Sequence, residues 1–261
     1  MSGMKIKLSI IALLLFLFDV SHAQIFIDQA KIEYEVKSDV KKTIGSGSWD
    51  EQLKDKISRF KTGVFTLTFS NDKSIYQFDR WSEPKLPDFI LKQNGDDEQD
   101  KYYYDYNSGK FNMQKNVYGT DINIADSITK LKWKLVNENR EIAGFNCRKA
   151  VAILFDSVYV FAFYTEEITL PGGPASFQGL PGVIMGVTIP RLYTSWIATK
   201  VMVNGVDASA IKPIDAKKTI TMTDFKSLIK DRTSDWYSPD DPDENKEAQQ
   251  QKARFIWETL L

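Results

Sequence analysis

Alternation of apolar and polar residues dominates the first half of the chain. Ile32, Tyr34 and Val36 alternate with Glu33, Glu35 and Lys37, and Phe65, Leu67 and Phe69 alternate with Thr66 and Thr68. A period of two puts one set of side chains on a buried face and the other in water, which predicts half-buried antiparallel strands. Tyr76 and Phe78 repeat the pattern. Residues 101–107 (KYYYDYN), the pair Ser108-Gly109, and then Phe111, Met113 and Lys115 predict a hairpin with a glycine-containing turn. Residues 150–155 and 158–164 are apolar almost throughout, as central strands should be, and Asp156-Ser157 suits a tight connection between them. Residues 196–203 (WIATKVMV) predict another strand, with a hairpin turn at Asn204-Gly205.

Helical signals are fewer. Thr223-Asp224-Phe225-Lys226 is expected to open a short helix. A polar breaker at residues 238–244 precedes residues 245–261, where Phe255, Ile256, Leu260 and Leu261 form an apolar face and predict a C-terminal helix. Docking of that helix on the sheet is favoured over a free face for a partner, since apolar faces are usually buried. Strands outnumber helices. The expected fold is therefore mainly β, in the α+β sense: a large twisted antiparallel sheet, curled towards an open cup or half-barrel, with a few helices including the C-terminal one.

The N-terminus reads differently. Lys5 and Lys7 precede an apolar run at residues 8–18 (LSIIALLLFLF), and Ser21 and Ala23 place small residues at positions −3 and −1 of a cleavage site before Gln24. This is the pattern of a secretory signal, and the run is shorter than the roughly 20 residues a spanning helix needs. The expected organisation is a signal peptide at 1–23, one β-rich domain at 24–237, and a polar breaker with a C-terminal helix at 238–261. No cysteine lies near the cleavage site to carry a lipid, so the expected product is soluble and periplasmic or secreted, not a lipoprotein, with no transmembrane segment after cleavage.

Composition narrows the chemistry. Hydrophobic residues make up 43% of the 261, enough for a core, and 34 basic against 35 acidic residues leave a formal charge of −1, so a basic nucleic-acid surface is not expected. The one histidine, His22, falls inside the signal. Histidine-based triads and metal sites are then excluded from the mature chain. The one cysteine, Cys147, sits before an apolar strand and reads as a core residue, because free cysteine is among the most buried residue types. Glu166 and Glu167 are adjacent, and neighbours in a strand face opposite ways, which makes them a poor catalytic pair. The acidic runs at 96–100 and 240–244 lack the Asp-x-Asp-x-Asp-Gly calcium pattern and read as solvated turns. No metal or cofactor is expected.

The most distinctive segment is residues 171–184 (PGGPASFQGLPGVI). It resembles the GLPGLI family, exported proteins of the Bacteroidota, with Val183 in the fifth place of the hexapeptide Gly179, Leu180, Pro181, Gly182, Val183, Ile184. Residues 142–150 (IAGFNCRKA) are similar to the family's I-x-G-[YF]-x-C-x-K-A pattern. Phe163-Tyr164-Thr165 stands where the family has W-Y-T, and Gly173-Pro174 matches its G-P. The resemblance centres on residues 130–200 and implies export and fold, not an activity. The prolines remove the free N–H groups a phosphate cradle needs, so the segment reads as a rigid structural or gating turn, with Leu180 anchored in the core.

Tyrosines 102, 103, 104 and 106 place rings on both faces of one strand, and tyrosine tolerates both apolar and wet surroundings. Tyr102, Tyr104, Tyr164 and Phe177 are therefore the candidate ligand or partner contacts. The functional expectation is an exported, non-enzymatic binding or accessory module for an apolar ligand, a peptide or an outer-membrane protein complex. The alternative is a histidine-free hydrolase using convergent carboxylates.

Overall fold

The computed structural model describes residues 27–45, 47–92, 94–236 and 242–261. Residues 1–23, expected to be a signal, lie outside the described residues, as does most of the breaker at 238–244. Eleven strands form one antiparallel sheet: β1 (Gln29–Asp39), β2 (Phe60–Ser70), β3 (Lys73–Trp81), β4 (Lys101–Asp105), β5 (Lys110–Val117), β6 (Thr120–Ser127), β7 (Lys134–Ile142), β8 (Phe145–Leu154), β9 (Val158–Thr165), β10 (Val183–Ile189) and β11 (Thr194–Met202). Their order is β6-β5-β4-β3-β2-β1-β11-β10-β9-β8-β7. Among the described residues four α-helices accompany it: α1 (Ser48–Lys56), α2 (Asp88–Leu91), α3 (Met222–Arg232) and α4 (Pro242–Leu260). The mainly β expectation holds.

Connectivity forces the sheet to curl. β6 and β7 follow each other in sequence yet occupy opposite edges. The link from Ser127 to Lys134 reaches at most about 25 Å, whereas eleven strands laid flat would separate their edges by about 48 Å. The edges must therefore approach one another, although they do not pair and the barrel stays open. The link is pinned where it crosses the gap. Trp133 Nε1 donates to the Gln178 carbonyl at 3.0 Å, and Gln178 Nε2 donates to the Thr129 carbonyl at 2.7 Å.

Alternation decides which face is inside. Ile32 and Tyr34 of β1, Leu67 and Phe69 of β2, and Ile184, Val187 and Ile189 of β10 are all at or near zero exposure and belong to one core. Phe155 and Asp156 both adopt positive φ, as the tight turn between β8 and β9 requires. Those two strands are internal, but they lie near the β7 edge, and the middle strand of the eleven is β1.

Several local expectations need correction. Asn204-Gly205 makes a turn, with Gly205 at φ +73, but no strand follows, so the hairpin does not form. α3 starts one residue earlier than expected, at Met222, because Thr221 and Asp224 close a reciprocal capping box. The docking expected of the C-terminal helix is present: Phe255 of α4 and Leu261 just beyond it are buried within the main core. β7 gives no period-two signal because, as an edge strand, it is wet on both faces and carries Lys134, Glu138, Arg140 and Glu141.

Candidate functional site

One end of the curled sheet is its mouth, and α4 lies across it. Arg254 donates to the carbonyls of Lys42 and Thr43, at 3.2 and 3.1 Å, just beyond β1. Phe255 stacks on Tyr118 of the β5–β6 turn, with ring centroids 5.0 Å apart. Trp257 stacks on Phe155 of the β8–β9 turn and receives the Arg191 guanidinium 5.0 Å from its ring centre. These contacts tie both halves of the sheet to one helix. A small second cluster, Val40, Leu86, Ile90 and Leu91 with Leu53 of α1 and Trp81, completes the rim.

Beneath α4 is a cavity of about 200 Å³. Its apolar wall includes Phe65, Tyr76 and Trp196 from the sheet, Leu192, Ile90 and the C-terminal Leu261. Five carboxyl and ammonium side chains line it as well: Lys61, Asp97, Asp100, Lys115 and Glu258. Lys115 stands on β5 in register with Phe111 and Met113, so the alternation that buries those residues carries its ammonium inward as well. Its Nζ lies 2.6 Å from Asp100 Oδ2 and donates to the Tyr102 hydroxyl at 2.9 Å. Asp100 also accepts the Asn116 N–H at 2.8 Å. Burial works against both charges. It pushes Asp100 up against the pull of Lys115, and it works to lower Lys115, but the neighbouring carboxylate outweighs it and holds the lysine raised. Tyr102 is pushed up to about 12, by burial first, with Lys115 opposing. The three side chains satisfy one another, and the Tyr102 phenol stays neutral at neutral pH.

Lys61 is closed too, 2.5 Å from Asp97 Oδ2 and bonded to the Leu91 carbonyl at 3.0 Å. Glu258 is not. It accepts one long bond from Asn94 Nδ2 at 3.3 Å, and burial pushes its carboxyl up to about 7. Tyr76 is 2% exposed and its hydroxyl has no hydrogen-bond partner. Burial raises the phenol well above its ordinary value, and the Trp196 indole opposes this from an approach that falls short of hydrogen-bond geometry.

Of the ring residues singled out from sequence, only Tyr102 reaches the cavity. Tyr104 is core, stacked on Tyr106. Tyr164 is fully buried, its hydroxyl 3.3 Å from Glu166. Phe177 packs edge-on against Trp196 inside the sheet. All three contact the protein's own interior: the strand faces that carry Tyr104 and Tyr164 point into the curl, and the loop that carries Phe177 folds inside it. The Gly179–Ile184 turn lies away from the cavity, and from its loop only Ala175 lines the wall. Residues 166–182 fold into the concave face, burying Ile168, Leu170, Phe177 and Leu180. The turn is closed by Gly179 N–H to the Pro171 carbonyl at 2.9 Å and Val183 N–H to the Ile168 carbonyl at 3.0 Å. The loop is a core plug, stapled to the link that spans the barrel gap.

The remaining candidates resolve plainly. Cys147 has no exposure, and burial, followed by Glu167, pushes its thiol up to about 12. Glu166 and Glu167 lie in the turn after β9 rather than in a strand, and they serve Arg148 and the Asn146 N–H respectively. The 96–100 run is only partly a solvated turn, since Asp100 is buried. Among the described residues no group of three or more His, Cys, Asp or Glu side chains is placed to hold a metal ion. Sequence reasoning missed Glu258 and Lys61, and one signal was visible: an inward lysine at position 115 in a strand whose other inward residues are apolar.

No family model matches the chain, and no curated protein matches it. Two solved structures of PNGF-II, in P21 and C2 space groups, are similar to it at 14% sequence identity and a TM-score of 0.49. The alignments cover 77% and 74% of this chain but 33% and 30% of those chains, so this chain spans about a third of the length of each.

Proposed function

We propose that this chain is an exported accessory protein of the cell envelope, a binding module without catalytic chemistry whose cavity takes a small ligand with an apolar body. The observation that carries this is the space beneath α4, about 200 Å³ and walled by Phe65, Tyr76 and Trp196. That volume far exceeds the roughly 10–15 Å³ that admits one water, and it falls below the roughly 300–1,000 Å³ of drug-sized pockets. A six-carbon chain suits it better than a folded peptide. Saturating 1-hexanol is expected to raise the melting temperature of the mature protein, because a ligand that binds only the folded state stabilises it. Leu261→Trp, which fills the cavity from the C-terminus, is expected to abolish the shift while the protein stays folded. A wild-type protein indifferent to hexanol up to its solubility limit overturns the proposal.

Export is supported by the basic, apolar and small-residue pattern of residues 1–23 and by the resemblance to the GLPGLI family. N-terminal sequencing of the product from the periplasm or medium is expected to begin at Gln24. A chain retained in the cytoplasm with its first residues intact would refute it. Outer-membrane partners belong to the same proposal, as what an exported accessory protein would serve.

A second reading has one observation in its favour. Asp97, Asp100 and Glu258 line the same cavity, and a Glu258 carboxyl titrating near 7 has the range of a general acid. Turnover of aryl glycosides that disappears in Glu258→Gln would establish hydrolysis by convergent carboxylates.

A further inference from the structure

The charges around the cavity do not cancel. Lys61 is matched by Asp97 and Lys115 by Asp100, each at 2.6 Å or less. Glu258 remains, and it forms no ion pair among the described residues. The guanidinium of Arg254, one turn earlier on α4, is directed to the main-chain carbonyls of Lys42 and Thr43. Glu258 is half-buried and lines the cavity. A carboxylate with so few partners is costly to bury, which is why its protonated form is favoured up to about pH 7.

The aromatic wall adds to this. The rings of Phe65, Tyr76, Tyr102 and Trp196 offer π faces, which attract cations. An anionic ligand would meet the opposite situation, with both lysines already neutralised and Glu258 repelling it.

Resting on the cavity being a ligand site, we propose that its ligand is a small primary ammonium with a short apolar body, the ammonium seated against Glu258 and the body against the aromatic wall. The cation completes the charge balance that the protein leaves open.

The pH dependence follows from the groups that face Glu258. Arg254 on α4, Asn94 in the loop after α2 and Lys61 on β2 favour its ionised form, while burial and Asp97 oppose it, and the outcome is titration near 7. An alkylammonium, whose pKa resembles the roughly 10.4 of lysine, stays charged throughout. Binding therefore strengthens as the pH rises from 6 to 8.

The test compares three six-carbon probes, n-hexylammonium, hexanoate and 1-hexanol, by calorimetric titration of the mature protein at pH 6 and pH 8. At pH 8 hexylammonium is expected to bind about tenfold or more tighter than hexanol, the scale of one charge-assisted hydrogen bond, and hexanoate more weakly than either. Glu258→Gln should remove the preference for the ammonium and its pH dependence while leaving hexanol binding within about twofold, which also shows that the variant is folded. If hexanol binds and hexylammonium binds no better, or if Glu258→Gln keeps the preference, the ammonium inference fails and the cavity reading survives. If neither probe binds, both fail together.

Discussion

Gly182→Ala is expected to destabilise the fold by roughly 3 kcal/mol or more, the range of changes that break a specific backbone constraint. A Cβ at this position would lie 2.0 Å from the Thr165 carbonyl oxygen and 2.8 Å from its carbon, both rigid main chain of β9. The residue also sits at φ +153, where L side chains are strained. Neither obstacle can be removed by rotating a side chain. Gly119→Ala provides the comparison: its φ is +74, but nothing lies within 4 Å of the added methyl. It should lose only about 1 kcal/mol. Urea titration of the two variants separates a conformational cost from a collision, and equal losses would contradict the plug as drawn. At about 2–4 °C per kcal/mol for a domain of this size, the Gly182 variant should melt roughly 6–12 °C lower.

Lys115→Met should cost about 3–5 kcal/mol, because it leaves Asp100 buried without its cation. Side-chain exposure is 9% for the lysine and 10% for the aspartate, so water cannot replace the lost partner. Acid should reduce the defect. With Lys115 gone, the folded-state pKa of Asp100 rises further above its unfolded value. The folded chain then holds a proton that the unfolded chain releases, and the variant's stability falls as pH rises through that window. The deficit is largest at neutral pH and shrinks towards pH 4. Lys115→Met combined with Asp100→Asn removes both charges and keeps an acceptor for the Asn116 N–H. It should recover most of the loss. A double variant no more stable than the single would show that packing of the lysine stem, not charge, holds this side of the cavity.

Much of the sheet was legible from sequence because strand formation is a local matter. Ile32-Tyr34-Val36 and Phe65-Leu67-Phe69 announce their buried face by spacing alone. Where the period was lost, the cause is physical. β7 is wet on both faces, and α1 buries no residue, so neither shows a clean apolar stripe. The burial of the rings at 104 and 164 was not legible, because alternation tells which residues share a face but not what that face meets. Here it meets the plug of residues 166–182, which is folded inside the curl.

The candidate site was legible only in fragments. Lys115 is a charge in a strand whose other inward residues are apolar, but its partner Asp100 lies in a run that reads as a solvated turn. Glu258 sits near the chain end, on a helix whose docking place no local pattern specifies. These groups meet because the short link from β6 to β7 pulls the sheet edges together and α4 then spans the mouth.

By itself the sequence determined most of the strands and the inward face of those that alternate, the absence of histidine after residue 22 and the rigidity of the Gly-Pro turn, since each depends on neighbours a few residues apart. The tertiary structure alone decided that the turn is a plug, that the C-terminal helix is a lid, and that one carboxylate is left without a cation. Those outcomes depend on which surfaces the curl brings together, across separations such as the 164 residues between Asn94 and Glu258.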